Sequence, residues 1–306
     1  MSATVVLLTY NGEKYLVPML ESILAQSYRP IQLLIADDAS TDRTTDILSQ
    51  FKEKNKTSDF RIDLVLREKN LGRAGNRNGI IHDITGDYVF LADQDDIWNP
   101  RKIEKQISFL QSHPDCYGVG CDRRLISQDD RVLLESENRF RKHKHKTISD
   151  LEDNLKFQSN FPANCIGFRN GGIEKSFSIP GQMEEPDRFL RVMLACMGNI
   201  GYVDEPLVNY RIHLNNLSGN YYEHIEKNPV LVFRNYYRKN KRYNRIYKKD
   251  DEMILSEAQS RFAKDLSPMY KMRKRKLALA EAVAHVGYDI LHGNLGVFLR
   301  KKGKEE

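Results

Sequence analysis

Tyr88-Val89-Phe90-Leu91-Ala92-Asp93-Gln94-Asp95-Asp96 is the stretch on which the fold turns. An apolar run with strand character delivers three carboxylates, within four positions, to its own C-terminal end. Like charges at that spacing repel, and holding them together costs stability unless a cation joins them. Side chains two apart on a strand share a face, so Asp93 and Asp95 converge on one ion if the extended geometry persists. Hard divalent cations such as Mg²⁺ and Mn²⁺ take carboxylate oxygens and often carry substrate phosphates in their remaining positions. A helix N-cap is the alternative use of such acids. Here Asn99-Pro100 already supplies the cap and first-turn proline for a helix starting near Arg101.

Working outward, the first 120 residues alternate strand and helix. Thr4 to Thr9 reads as a strand ending at the turn Tyr10-Asn11-Gly12, and a helix then carries Leu16, Leu20, Ile23 and Leu24 at helical spacing. Ile31 to Ala36 is the next buried strand, and it stops at the cap-rich Asp37-Asp38-Ala39-Ser40-Thr41-Asp42 before a helix that reaches about Lys54. Ile62 to Leu66 reads as a third strand, and a helix after Gly72 leads through a turn at Gly86 into the acidic strand. Alternation of this kind predicts a mostly parallel α/β sheet covered on both faces, with ligands at the carboxyl ends of the strands. Every unusual polar cluster of this half falls at such an end.

The second half is less regular. Cys116 to Cys121 looks like a strand, 122–160 a polar loop or excursion, Glu184 to Met197 a helix burying Phe189, Leu190, Met193, Leu194 and Met197, and Asn199 to Val203 a strand. From about 220 the pattern turns helical and basic: Arg234 to Lys276 holds fifteen Lys/Arg against five Asp/Glu, an excess larger than the +6 of the whole chain. The expected organisation is one domain over 1–219, divided into halves at 1–120 and 121–219 (the nucleotide-sugar and acceptor halves of a catalytic domain, by the resemblance given below), then a basic helical region over 220–306. Four cysteines without CxxC spacing fit reduced thiols in a cytoplasmic protein. No run approaches the ~18 apolar residues of a membrane span, so the chain is expected to be soluble or peripheral on the inner face of the cell membrane.

Taken in order, Leu8-Thr9-Tyr10-Asn11-Gly12, Asp37-Asp38-Ala39-Ser40-Thr41-Asp42, Asn70-Leu71-Gly72 with Arg77-Asn78-Gly79, Asp93-Gln94-Asp95-Asp96-Ile97-Trp98 and Gly201 to His213 resemble glycosyltransferase family 2 over roughly residues 1 to 220. The acidic motif ending in Asp-Asp-Ile-Trp is closest in style to rhamnosyltransferase-like bacterial members that build surface polysaccharides. The resemblance implies a GT-A fold, a nucleoside-diphosphate sugar donor (dTDP- or UDP-linked), Mn²⁺ or Mg²⁺, and inversion at the anomeric carbon. It also implies a glycan or lipid-linked acceptor.

Residue roles follow on both grounds. Asp38 can accept a hydrogen bond from the N3–H of uracil or thymine, the role the resemblance implies, or cap the helix after Ser40. Thr9 and Asn11 either contact base or ribose or close their turn, and the resemblance adds Tyr10 and Asn78 to the nucleotide-sugar contacts. Arg73 and Arg77 open a helix after a glycine, where cations and free N–H groups suit an anion; a solvated face is the other reading of Arg77. By resemblance Asp93 contacts ribose or the metal shell, Asp95 binds the metal directly, Asp96 is a less certain third member, and His213 completes the shell. Family members carry an acid at the start of the helix before the Gly201-Tyr202 strand, which places Asp187 as the base, with Glu184 and Glu185 as alternatives. Arg188-Phe189 stands where an aromatic pair is usual, a departure that bears on acceptor recognition. Phe233, Tyr236, Tyr237, Tyr243 and Tyr247 form an aromatic stripe among basic residues, suited to an anionic membrane, to the catalytic domain or to a second subunit. No nucleic-acid module accompanies it. Two rivals stand beside this reading. A sugar-phosphate nucleotidyltransferase needs a glycine- and lysine-rich phosphate loop, which Leu8 to Gly12 is not. A non-catalytic nucleotide-sugar-binding protein predicts no turnover.

Overall fold

The computed structural model describes residues 1–140, 147–150, 154, 162–171, 178–180, 186–213, 253–254, 256–257 and 260–262. Contacts divide the chain into two units, Met1–Ile254 and Leu255–Glu306. The expected boundary at 219/220, Glu184, Glu185 and nearly all of the basic region lie outside the described residues. The sheet and its flanking helices belong to the first unit.

Three parallel strands make its first half: β1 (Ala3–Thr9), β2 (Ile31–Asp37) and β3 (Phe60–Leu66), joined by α1 (Leu16–Leu24) and α2 (Thr44–Asn55). After α3 (Gly72–Asn78), β4 (Tyr88–Asp93) pairs in parallel with the other side of β1. The register aligns Thr9 with Asp37 and Leu8 with Asp93, so the β1, β2 and β4 polar ends share one edge. β2 is buried along its whole length, as a strand covered on both faces must be. Alternation along β1 sends Val5 and Leu7 into one core with Leu16, Met19, Leu20 and Ile23 of α1, and Val6 into a second core. Burying each of those α1 side chains contributes about 1.5–3 kcal/mol, which holds a helix with no side-chain cap at its start.

Beyond β4 the sheet becomes mixed. In chain order come β5 (Ile97–Trp98), α4 (Lys102–Ser112), β6 (Cys116–Ile126), β7 (Val132–Leu134), β8 (Ile148–Ser149), β9 (Gly167–Arg169), α5 (Pro186–Ala195) and β10 (Asn199–Arg211). The sheet order is β3-β2-β1-β4-β9-β6-β10-β5, with β7 on β6 and β8 on β10. β9 lies antiparallel between β4 and β6, where Gly167 permits the approach: a Cβ there would collide with the Phe90 ring. The α4 start matches its expectation, since Asn99 Oδ1 accepts the Arg101 N–H at 2.9 Å. α5 buries Leu190 and Leu194 in the second core.

Three expectations for this half are corrected. Residues 122–126 are not loop but the continuation of β6. Their polar side chains escaped a strand reading because their partners are distant: Asp122 accepts from Ser136 Oγ at 2.5 Å and the Asn138 N–H at 3.0 Å, and Arg123 and Arg124 pair with Glu137 and Glu135. β10 does not stop at Val203 but runs to Arg211, with register shifts around Pro206, which has no N–H to give the ladder. Met197 lies beyond the end of α5 and is only half-buried. The most consequential pairing is the shortest. β5 folds back antiparallel on β10, Trp98 opposite Val208 and Ile97 opposite Asn209, and so carries the acidic loop to the end of β10.

Candidate active site

The ends of β1 and β2 form a loop pair that closes largely on itself. Thr9 Oγ1 donates to Asp37 Oδ2 at 2.7 Å, and Asp37 also receives the Ser40 N–H at 2.9 Å and Ser40 Oγ at 2.6 Å. Asn11, at φ 47°, donates its N–H to Ser40 Oγ at 2.9 Å and accepts the Thr41 N–H on Oδ1 at 2.8 Å. Asparagine tolerates that left-handed backbone; Ala39, at φ 64°, costs about 1–2 kcal/mol there and is held by the bonds around it. The Thr9 and Asn11 side chains are thus both engaged in closing turns. Asp38, buried, accepts the Leu71 N–H on Oδ1 at 2.7 Å, which seats the Asn70-Leu71-Gly72 turn. It does not cap the following helix; Asp42 Oδ1 takes the Thr44 N–H at 3.0 Å. Asn78 spends both ends of its amide on the Ile179 backbone, at 2.9 and 3.0 Å.

Around β4 the charges gather. Arg73 Nη2 stands 3.5 Å from Asp93 Oδ1, both about half-exposed. Against the lowering effect of burial, Asp93, Asp187 and Asp95 raise the Arg73 pKa. Burial, joined by Asp95 and Asp187, pushes Asp93 up to about 6 against the pull of Arg73 and Arg77. Arg77 is buried, not on a solvated face, and burial lowers its pKa while Asp187 opposes the shift. Asp187, in the first turn of α5, therefore shares the field of Arg73, Arg77 and Asp93, and its Oδ2 accepts the Ala163 N–H at 3.0 Å. The strand ends at Asp93, so the Asp93/Asp95 proximity comes from a turn at 94–95 and not from continued extension.

Asp95 and His213, 118 residues apart, meet with Oδ2 and Nε2 2.9 Å from one another. Asp96 turns inward instead. It accepts hydrogen bonds from Asn164 Nδ2 and, at 3.1 Å, from the Arg211 N–H. Burial, with Asp95 and Asp93, pushes its pKa well up.

Five residues to which the motif reading gave no role complete the arrangement. Gln94 clamps Tyr10 by both backbone groups, accepting its N–H at 2.9 Å and donating to its carbonyl at 3.0 Å. Gly12 makes room for that amide, since a Cβ there would collide with Gln94 Oε1. Asn164 holds Asp96, Arg211 reaches the Asp95 carbonyl, and the Tyr15 ring lies 4.8 Å from that of His213. Gln94, Gly12 and Arg211 had a local signal, their places inside the quoted motifs; Asn164 and Tyr15 had none.

The donor set fits one divalent ion. The 2.9 Å between Asp95 Oδ2 and His213 Nε2 is a hydrogen-bond distance, and it is also close to the ~3 Å that separates two cis ligands of an octahedral ion bound at ~2.1 Å. Asp93 adds a nearby carboxylate whose raised pKa a cation would relieve. Among the described residues no three His, Cys, Asp or Glu side chains form a cage. Such ions do not need one where substrate phosphates supply ligands.

This fold, a strand-end nucleotide-type edge with an acidic turn, is that of the GT-A glycosyltransferases. Two solved structures share it: S. aureus TarS 1-349 in complex with UDP-GlcNAc (TM-score 0.57, 18% identity, 71% of this chain and 60% of that one) and the mannosyltransferase PcManGT from Pyrobaculum calidifontis with GDP-Man and Mn²⁺ (TM-score 0.53, 19% identity, 96% and 84%). The family model described as glycosyl transferase family 2 matches residues 4–171, and the chain belongs to that family. An uncharacterized glycosyltransferase of Nostoc, alr2836, is 27% identical over 70% of this chain and 65% of its own length. TuaG of Bacillus subtilis, named for teichuronic acid biosynthesis, is 36% identical over 41% of this chain and 48% of its own. The matches thus span less than two thirds of these relatives.

Proposed function

We propose that this chain is a metal-dependent, inverting glycosyltransferase that moves a sugar from a dTDP- or UDP-linked donor to a glycan or lipid-linked acceptor in surface polysaccharide synthesis. The observation that carries the proposal is the 2.9 Å approach of His213 to Asp95 beside the Asp93–Arg73 pair. Family membership and a relative named for a cell-surface polymer support the reaction class and the setting. Rhamnose, indicated by the style of the acidic motif, is the first donor sugar to test.

In this reading Asp95 and His213 hold Mn²⁺ or Mg²⁺, with Asp93 beside them on the ribose or the metal shell. The ion's contribution is Lewis-acid neutralisation of the leaving diphosphate. Arg73 and Arg77, already facing three carboxylates, add fixed positive charge where the phosphates sit. Asp38 faces the base, and Thr9, Tyr10 and Asn11 shape the loop beside it, held to the acidic turn by Gln94. Asn78, at the end of α3, contributes to the donor site through the segment it anchors. Asp187 is the base: as the acceptor oxygen bonds to the anomeric carbon and the carbon–diphosphate bond breaks, the hydroxyl proton passes to its carboxylate. The Ala163 N–H on Oδ2 fixes the orientation of that carboxylate while it acts.

A panel of nucleotide sugars with Mn²⁺, scored for nucleoside diphosphate release, tests the proposal. Metal-dependent release from a dTDP- or UDP-sugar is expected, and full activity in EDTA overturns the metal assignment. No helix among the described residues is long and apolar enough to cross a membrane. We assign attachment to an anionic inner leaflet to the basic, aromatic 220–306 region on its composition. Each basic residue near such a surface contributes about 1 kcal/mol. Salt-sensitive co-sedimentation with phosphatidylglycerol vesicles, lost on neutralising Arg238, Lys239, Lys241 and Arg242, checks it. If wild type ignores the vesicles at low salt, the stripe serves a contact within the protein or between two copies.

A further inference from the structure

Arg211 takes no part in the chemistry proposed above, yet it is almost fully buried, 1% exposed, directly beneath the acidic turn. Its Nε donates to the Asp95 carbonyl at 2.9 Å, and its own N–H donates to Asp96 Oδ1 at 3.1 Å. On the other side Nη1 donates to the Ser127 carbonyl at 3.3 Å, to the Gln128 carbonyl at 3.4 Å and to Asp130 Oδ1 at 2.5 Å. The guanidinium carbon lies 4.7 Å from the centre of the Tyr15 ring, whose centre is 4.8 Å from that of the His213 ring. One side chain therefore reaches the backbone of the turn carrying Asp95, and through Tyr15 it reaches the ring of His213.

We infer that Arg211 is a positioning residue that holds Asp95 and His213 at the spacing of a single divalent ion. The inference rests on the metal-dependent reading of the site. β10 is paired with β6 as far as Arg211, opposite Ile126, and the Ile212 N–H bonds the Ile126 carbonyl, but those contacts hold β10 to β6 and not to the acidic turn. The β5–β10 ladder ends at Ile97 opposite Asn209, two residues short of Arg211 and four short of His213. Beyond that point Arg211 carries the contact, with donors on two sides of a rigid plane. Lysine keeps the charge but cannot address the Asp95 carbonyl, the 127–130 turn and the Tyr15 face at once. The charge also suits the place. The guanidinium charge is paired with Asp130 Oδ1, and the carbonyls of Ser127 and Gln128 accept from the same Nη1. Partners that orient metal ligands typically change metal affinity by 10–100-fold when removed.

The test measures Mn²⁺ binding directly, by the loss of the free Mn²⁺ electron paramagnetic resonance signal in the presence of UDP, so no turnover is needed. Arg211→Lys is expected to weaken Mn²⁺ binding about tenfold or more while UDP affinity in EDTA stays unchanged. In the His213→Ala background Arg211→Lys should then weaken binding little further, because the two act through one spacing. Tyr15→Leu, which removes the ring between Arg211 and His213, should show the same sub-additivity with His213→Ala, and it decides the matter if Arg211→Lys does not fold. Wild-type Mn²⁺ affinity in Arg211→Lys, or fully additive losses in the double variants, overturns the assignment of Arg211. A wild-type protein that binds no Mn²⁺ with UDP overturns the metal reading instead, and the two failures are therefore distinct.

Discussion

At the ends of β1 and β2, Asp37 gathers three hydrogen bonds, from Thr9 Oγ1, the Ser40 N–H and Ser40 Oγ, all between 2.6 and 2.9 Å. At the end of β4, Asp93 faces Arg73 across 3.5 Å, and burial with the neighbouring Asp95 and Asp187 pushes its pKa up to about 6 against the pull of Arg73. The first carboxylate is bound into the fold and the second is held against its electrostatic preference. A fold tolerates such crowding where a bound group completes the charge balance, the part that the proposed function gives to a cation and a diphosphate. Under the proposed function the β1–β2 loops are the scaffold, and the β4 end with Arg73, Asp187 and His213 is the reactive part.

Substitutions should separate the two regions cleanly. The largest expected effect is on the reactive side: Asp95→Ala abolishes nucleoside diphosphate release and metal-dependent donor binding. Its thermal transition moves little, since Asp95 packs no core. A variant that unfolds with the loss would instead place Asp95 in the scaffold. Next comes Asp187→Asn, which keeps shape but removes the proton acceptor. Transfer should drop by about 10²-fold or more at nearly unchanged donor affinity. If Asp187→Asn is active while Glu184→Gln or Glu185→Gln is dead, the base has been assigned one turn too late.

The scaffold side should respond in the opposite currency, stability before activity. Asp37→Asn presents an amide N–H₂ to donors that need an acceptor, and urea denaturation should show a loss of about 1–3 kcal/mol. Undiminished stability would mean the β1–β2 loop pair is held by its backbone alone. The mildest effect is expected at the seam between the regions. Gly12→Ala displaces the Gln94 amide from Tyr10, and donor KM should rise several-fold, about 3–10, with kcat little changed, for a cost on the order of 1 kcal/mol. A change in kcat with KM constant would move the Gln94 clamp from donor binding to the chemical step.

The same contrast separates what was legible in the chain from what was not. β1 to β4, their helices and the Thr9, Asp37 and Asp93 strand ends were readable because apolar periodicity and turn residues report local structure directly. The extension of β6 through Asp122, Arg123 and Arg124 was not, since each of those charges is satisfied by a partner at 135–138. Hydropathy counts a charge as polar whether or not a distant residue neutralises it.

Within the site, the sequence by itself determined the strand-end carboxylates, the cationic start of α3 and an acid opening α5, all local patterns of charge and capping. Only the tertiary structure decided which of the three aspartates is taken into the interior. Asp96 turns in to Asn164 and the Arg211 N–H, Asp95 meets His213, and Asp93 is the most exposed of the three. The acidic turn is brought to the end of β10 by two residues of β5 pairing with it across more than a hundred positions, and the buried Arg211 contacts that turn beyond the last β5–β10 pair. Register between distant strands depends on the summed burial and hydrogen bonding of the whole sheet, a quantity that no window of sequence contains.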